Sequence, residues 1–158
     1  MKSNPAKAIL TTWLLAGTLD ILAAFTQYMI GTGGKNPVNV LLFIASGVFG
    51  RETAFSGGYP MAALGLAFHY FIALSWTLLF FFAYPKMNIL AKNKFATGIA
   101  YGIVIWLVMN QIVLPLSNVS RGAFDLGRAA LGTLVLMVCV GLPISFTISK
   151  YYSQSNKL

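Results

Sequence analysis

Four long apolar runs dominate this sequence and restrict what the chain can fold into. They cover residues 8–30, 60–84, 95–116 and 126–151, and a helix needs about 20 such residues to cross the hydrocarbon core of a bilayer. The chain is 58% hydrophobic and 9% charged, whereas an average soluble domain is about 25% charged. The sequence therefore predicts an all-α, polytopic membrane protein with four transmembrane helices, forming a single transmembrane domain over residues 1–158.

The segment between the first two runs contains a shorter apolar stretch, residues 38–49. It is too short to cross the hydrocarbon core as a helix. Asn36 and Pro37 before it are typical of an N-cap and of a first helical residue. These features predict a short interfacial or re-entrant helix over about residues 37–49. An irregular loop is the alternative, because Gly47 and Gly50 weaken a helix.

The net charge of +8 comes from basic residues at the ends of the apolar runs, where they face lipid headgroups. This distribution argues against nucleic-acid binding and favours the lipid bilayer as the partner. Four spans place the termini and the loop between spans two and three on one side. That side has seven basic residues: Lys2, Lys7, Lys86, Lys92, Lys94, Lys150 and Lys157. The other side has four, namely Lys35, Arg51, Arg121 and Arg128. The excess predicts cytoplasmic N- and C-termini.

Four strongly polar residues lie well inside the predicted spans, away from their ends: Asp20, His69, Asn110 and Gln111. Such residues are energetically unfavourable in a membrane and usually face the bundle interior or a water-filled cavity. Asp20, His69 and Asn110 lie about ten, nine and six residues from the same end of their spans, depths that agree within about 6 Å at 1.5 Å per residue. We therefore expect an intramembrane polar site formed by these residues.

Small residues recur every four positions beside these polar groups and indicate close helix contacts. The second span carries Gly65, His69, Ala73 and Thr77, and the third carries Gly98, Gly102, Trp106 and Asn110. The spacing of Gly98 and Gly102 is compatible both with packing inside the chain and with a homodimer. In the fourth span, Pro143 predicts a kink.

Asp20 and His69 have two interpretations. The first is a structural, buried pair joined by a hydrogen bond or by charge, and the second is proton or solute handling, since histidine titrates near neutral pH. A haem ligand on a lone histidine is a weaker hypothesis. One histidine and Cys139 alone do not provide four ligands for zinc, and no serine lies in a G-x-S-x-G motif. The sequence predicts no cofactor and no metal site, and it contains no motif that specifies an enzyme.

Charged residues outside the spans form a second candidate group: Arg51, Glu52, Arg121 and Arg128, with Asp125 nearby. The usual interpretation is solvated loop charge, with Asp125 and Arg128 spaced for an ordinary helix pair. The alternative is a polar lid on the outer side, over the region of Asp20 and His69, in contact with an anionic lipid headgroup.

The chain resembles a family of small, uncharacterised bacterial inner-membrane proteins of the YagU type over about residues 40–118. The likeness is carried by these residues: Ile44, Ala45, Ser46, Gly47, Gly50, His69, Ile72, Ala73, Pro85, Lys86, Gly98, Gly102, Pro115 and Leu116. It implies a multi-pass protein of the bacterial cytoplasmic membrane and a link to acid tolerance. The longer extramembrane loop of the YagU type is missing from this sequence.

Two functions are compatible with these patterns. The first is transport or permeability control for a small solute or for protons through the intramembrane polar site. The alternative is a non-catalytic accessory or assembly subunit, as a homodimer or within a larger membrane complex. A lipid-modifying enzyme comes third.

Overall fold

Four long apolar helices make up most of the molecule. The structure is a computed structural model that describes residues 4–119 and 125–155. The spans are Pro5–Thr32, Gly58–Lys86, Lys94–Leu116 and Leu126–Gln154, and each is long and apolar enough to cross a membrane. No strand occurs within the described residues. The prediction of an all-α bundle of four spans with an additional short helix is confirmed.

Polar side chains cap the beginnings of three spans. The Asn4 side chain accepts a hydrogen bond from Ala6 N (2.9 Å) at the start of α1 (Pro5–Thr32). Asn93 does the same before the third span, accepting from Phe95 N at 3.1 Å, and Asp125 accepts from Arg128 N (2.9 Å) before the fourth. These bonds satisfy amide groups that have no partner within the helix.

The connection between the first two spans contains two helices, α2 (Val38–Phe49) and α3 (Arg51–Ser56). Asn36 accepts a hydrogen bond from Val38 N at 3.0 Å and so caps α2. Gly50 separates α2 from α3. Its φ of +79° is a backbone conformation that favours glycine. The sequence predicted α2 but not α3.

The second span begins with α4 (Gly58–Ala83), against which α2 packs closely. At Gly65 an added Cβ would lie 2.0 Å from the Leu41 carbonyl oxygen. Glycine therefore lets the backbones of α2 and α4 touch. A 3₁₀ turn at Tyr84–Lys86 and the short helix α5 (Ile89–Lys92) then lead to the third span.

The last two spans are interrupted by π-helical segments. The third consists of α6 (Lys94–Val108), a π segment (Met109–Val113) and α7 (Leu114–Leu116). The fourth consists of α8 (Leu126–Val135), a π segment (Leu136–Gly141) and α9 (Leu142–Ser155).

Both π segments end two residues before a proline, Pro115 in the third span and Pro143 in the fourth. Proline lacks an N–H and its ring crowds the carbonyl four residues earlier. A widened turn is one way to accommodate it within a helix. The sequence predicts a kink at Pro143, and the structure has a π-helical segment, Leu136–Gly141, just before this proline.

Spans three and four cross at three glycines. A Cβ on Gly102 would lie 2.5 Å from Met137 Cα, and one on Gly141 would lie 2.1 Å from the Gly98 carbonyl oxygen. Gly98 and Gly102 thus pack against the fourth span of the same chain.

Hydrogen bonds between spans supplement this packing. Thr12 Oγ1 donates to Thr147 Oγ1 (2.8 Å) between the first and fourth spans, and Trp13 Nε1 donates to the Tyr70 carbonyl (2.7 Å) between the first and second. An aromatic and aliphatic core lies towards the end of the bundle that carries the termini. Its buried members are Ala16, Phe80, Phe81, Tyr84, Ile105, Val140, Ile144 and Ile148.

Candidate functional site

A cavity of about 390 Å³ lies between the four spans and α2. Residues 16–24 of α1, 68–76 of α4 and 105–119 in and after the third span contribute to its wall, together with α2 and the fourth span. The wall is mostly aliphatic, aromatic or glycine. Among the described residues, polar side-chain groups on it come only from Asp20, His69, Trp76 and Ser117.

His69 is anchored to the first span. The side chain is only 8% exposed, and its Nε2 lies 2.8 Å from the Gly17 carbonyl oxygen. Because a carbonyl can only accept, Nε2 carries a proton and donates it in this bond. Nδ1 is then the nitrogen whose protonation decides the charge of the ring.

Gly17 allows this close approach of the two spans. A Cβ at Gly17 would lie 3.0 Å from the Tyr70 ring and 3.3 Å from the Ala73 Cβ. The small residue therefore brings the Gly17 carbonyl within reach of the imidazole. The helical contact predicted from the stripe of small residues on α4 is present at this point.

Asp20 lies one helical turn after Gly17 on the same cavity wall and is half-buried. The carboxylate is near enough to His69 for an electrostatic interaction, but no direct hydrogen bond or ion pair joins these two described side chains. The structural hypothesis allowed a hydrogen bond or an interaction by charge, and of these the described side chains show only the electrostatic interaction. In the structure the imidazole binds backbone, and both side chains contribute to the wall of one cavity.

Asn110 and Gln111 do not line the cavity. Asn110 Nδ2 donates to the Trp106 carbonyl (2.9 Å) within its own helix, and Gln111 is exposed. The four-residue spacing that grouped Asn110 with the site assumes an unbroken α-helix. The π segment begins at Met109, and Met109 faces the cavity instead.

The predicted lid does not line the cavity in the described residues. The Arg51 guanidinium lies 5.1 Å from the centre of the Phe55 ring, and Glu52 is exposed on the same helix. Arg128 Nε is 3.9 Å from Asp125 Oδ2 in an exposed pair, the ordinary helix pair that the spacing indicated. Arg121 lies outside the described residues.

Asn118 joins the segment after the third span to α2 by two hydrogen bonds, and the sequence did not predict this role. The Asn118 backbone N–H donates to the Gly47 carbonyl (3.0 Å), and its Nδ2 donates to the Val48 carbonyl (2.8 Å). Both acceptors belong to the last turn of α2, whose carbonyls lack partners within the helix. Gly47 and Val48 line the cavity, so Asn118 holds one wall in place. The available sequence signal was Gly50, which follows α2 and indicates where this helix ends.

We expect Asn118→Asp to loosen α2. The change removes the amide donor to Val48, and a single hydrogen bond contributes about 1 kcal/mol. Hydrogen–deuterium exchange of the α2 amides should become about fivefold faster. Asn88→Asp is the matched control, since the exposed Asn88 makes no side-chain cap bond. Equal exchange in both variants would show that Asn118 does not hold α2.

Comparison of the chain with protein-family models, with curated proteins and with solved structures gave no match. The resemblance to the YagU type therefore stays a prediction from the sequence. Within the described residues, no group of three His, Cys, Asp or Glu side chains is placed to hold a metal ion. Among the described lining residues, the ionisable groups at the cavity are one carboxyl group, of Asp20, and one imidazole, of His69.

Proposed function

We propose that this multi-pass membrane protein moves protons, or a small and largely apolar solute bound in the cavity, across the bacterial cytoplasmic membrane. The observation that carries the proposal is the position of Asp20 and His69, the two ionisable side chains among the described lining residues, on a mostly apolar wall. Ionisable groups in this setting usually mark substrate or proton pathways. The volume of about 390 Å³ falls in the range of small-molecule sites.

The His69 anchor is compatible with proton handling. Nε2 donates to the Gly17 carbonyl in both the neutral and the charged ring, because protonation takes place at Nδ1. The ring can therefore gain or lose a proton without giving up its position.

The orientation belongs to the same proposal. Seven basic residues flank the spans on the side of the termini and four on the other side, which supports cytoplasmic termini. The end of the cavity formed by α2 and Asn118 then lies towards the outer face.

Proteoliposomes test the function. We expect the purified protein to produce a pH-dependent proton flux, measured with an entrapped pH-sensitive dye under a potassium diffusion potential. Asp20→Asn and His69→Gln should each abolish it. Both changes keep the size of the side chain, and the glutamine amide retains a donor for the Gly17 carbonyl, so the melting temperature should change little.

Gln111→Ala is the control, because Gln111 is a polar residue of a span that does not line the cavity. This variant should keep the flux of the unmodified protein. Flux that persists when both Asp20 and His69 are replaced would contradict the proposal. An unmodified protein with no flux that always purifies within one larger complex would favour the accessory function.

A further inference from the structure

A second cleft, of about 380 Å³, lies at the end of the bundle that carries the termini. It shares no lining residue with the first cavity. One wall is the start of the third span and the other is the end of the fourth. The lining residues are Lys94, Phe146, Thr147, Lys150, Ser153 and Gln154.

Local structure brings two basic side chains to this cleft. Lys94 is the first residue of α6, and its carbonyl accepts a hydrogen bond from Ser145 Oγ (2.8 Å). This bond fixes the start of the third span against α9. Lys150 follows Phe146 by four residues and so lies on the same helical face.

Within residues 4–119 and 125–155, no acidic side chain lines the cleft to neutralise its positive charge. The chain has three acidic residues, Asp20, Glu52 and Asp125, and none of these described residues lines the cleft. A ligand that balances two ammonium groups must therefore carry negative charge.

The polarity of the cleft changes along α9. Phe146, which is 47% exposed, is its apolar residue. Lys150 follows one turn later, and Ser153 and Gln154 follow at the end of the span. The sequence of apolar, cationic and hydrogen-bonding groups matches the acyl chain, phosphate and polar head of a phospholipid lying along the helix. Basic pockets between transmembrane helices are known to hold acidic headgroups.

We propose that the cleft between Lys94 and Lys150 is a binding site for an anionic phospholipid of the surrounding leaflet. The two ammonium groups bind the phosphate, Ser153 and Gln154 face the headgroup, and the acyl chain runs along Phe146. The lipid fixes the third span to the fourth at this end. The site is independent of solute transport.

Native mass spectrometry of the detergent-solubilised protein tests the site, with phosphatidylglycerol, phosphatidylcholine and free glycerol phosphate as probes. We expect one phosphatidylglycerol to be retained preferentially. In the double variant Lys94→Gln and Lys150→Gln its affinity should fall about tenfold or more, since each lysine near an anionic headgroup contributes to attraction. The matched control is Lys86→Gln with Lys92→Gln, two exposed lysines at the same end that do not line the cleft.

Three results would overturn the proposal. Equal loss of phosphatidylglycerol in the control variant would indicate diffuse surface charge. Equal retention of phosphatidylcholine would show that the cleft does not select charge. Binding of glycerol phosphate as tight as that of the lipid would indicate a soluble phosphate ligand. Melting curves in phosphatidylcholine should be the same for all variants, which separates lost binding from lost folding.

Discussion

Alanine at Gly102 or at Gly141 is expected to destabilise the packing of the third span against the fourth. The new Cβ would lie 2.5 Å from Met137 Cα in the first case and 2.1 Å from the Gly98 carbonyl oxygen in the second. Both obstacles are backbone atoms, so no side-chain rotation removes the clash and the two spans must move apart. We expect a loss of about 3 kcal/mol in the free energy of unfolding, at the upper end of what overpacking usually produces.

Gly132→Ala is the matched control on the fourth span. The nearest atom to its new Cβ would be Trp106 Nε1 at 3.4 Å, an ordinary contact. Since alanine is favoured over glycine in a helix by about 1 kcal/mol, this variant should be as stable as the unmodified protein or more so. Thermal unfolding in detergent measures the difference. If Gly102→Ala has the same melting temperature as Gly132→Ala, the third and fourth spans do not cross at Gly102.

Oligomeric state provides a second readout for the same variants. A homodimer held by the Gly98 and Gly102 face would dissociate in Gly102→Ala while each chain stayed folded. We expect instead that the single chain loses its fold in Gly102→Ala, because the partner of these glycines is Gly141 of the same chain.

The four spans could be predicted because hydropathy and length leave few other solutions for such a chain. The start of α2 could be predicted for a similar reason, since the Asn36 side chain satisfies a local amide, that of Val38. The partner of Gly98 and Gly102 could not be predicted. Small-residue spacing specifies a close contact but carries no information about which helix provides the other side.

The candidate site was predicted in part. Asp20 and His69 stood out because ionisable groups are rare inside spans, and the structure places both on one cavity. Their contacts depend on tertiary structure, so the bond from His69 to the Gly17 carbonyl had no local signal. Asn110 and Gln111 were grouped with the site because the π segment from Met109 to Val113 was not visible in the residue spacing.

Gly65→Ala is expected to release α2 from the bundle while the four spans stay folded. Its Cβ would lie 2.0 Å from the Leu41 carbonyl oxygen and 2.8 Å from the carbonyl carbon, again backbone against backbone. Because α2 lies between two spans and is itself too short to cross the membrane, the clash acts on its docking rather than on the bundle. We expect docking to weaken by about 1–3 kcal/mol.

Cysteine labelling measures this release. Ser46 on α2 is 2% exposed, so Ser46→Cys in a Cys139→Ser background should react slowly with a polar maleimide. With Gly65→Ala added, the reaction should become about 5–150-fold faster. Gly31→Ala is the control, since nothing lies within 4 Å of its new Cβ, and it should leave the rate unchanged.

The release of α2 would also remove one wall of the cavity, because residues from Val40 to Val48 line it. The proton flux proposed for Asp20 and His69 should then lose its pH dependence, although neither side chain has been altered and the melting temperature of the spans is kept. Slow labelling together with normal flux in Gly65→Ala would contradict the role of Gly65. Fast labelling with normal flux would show that α2 is not part of the pathway and would confine the function to the four spans.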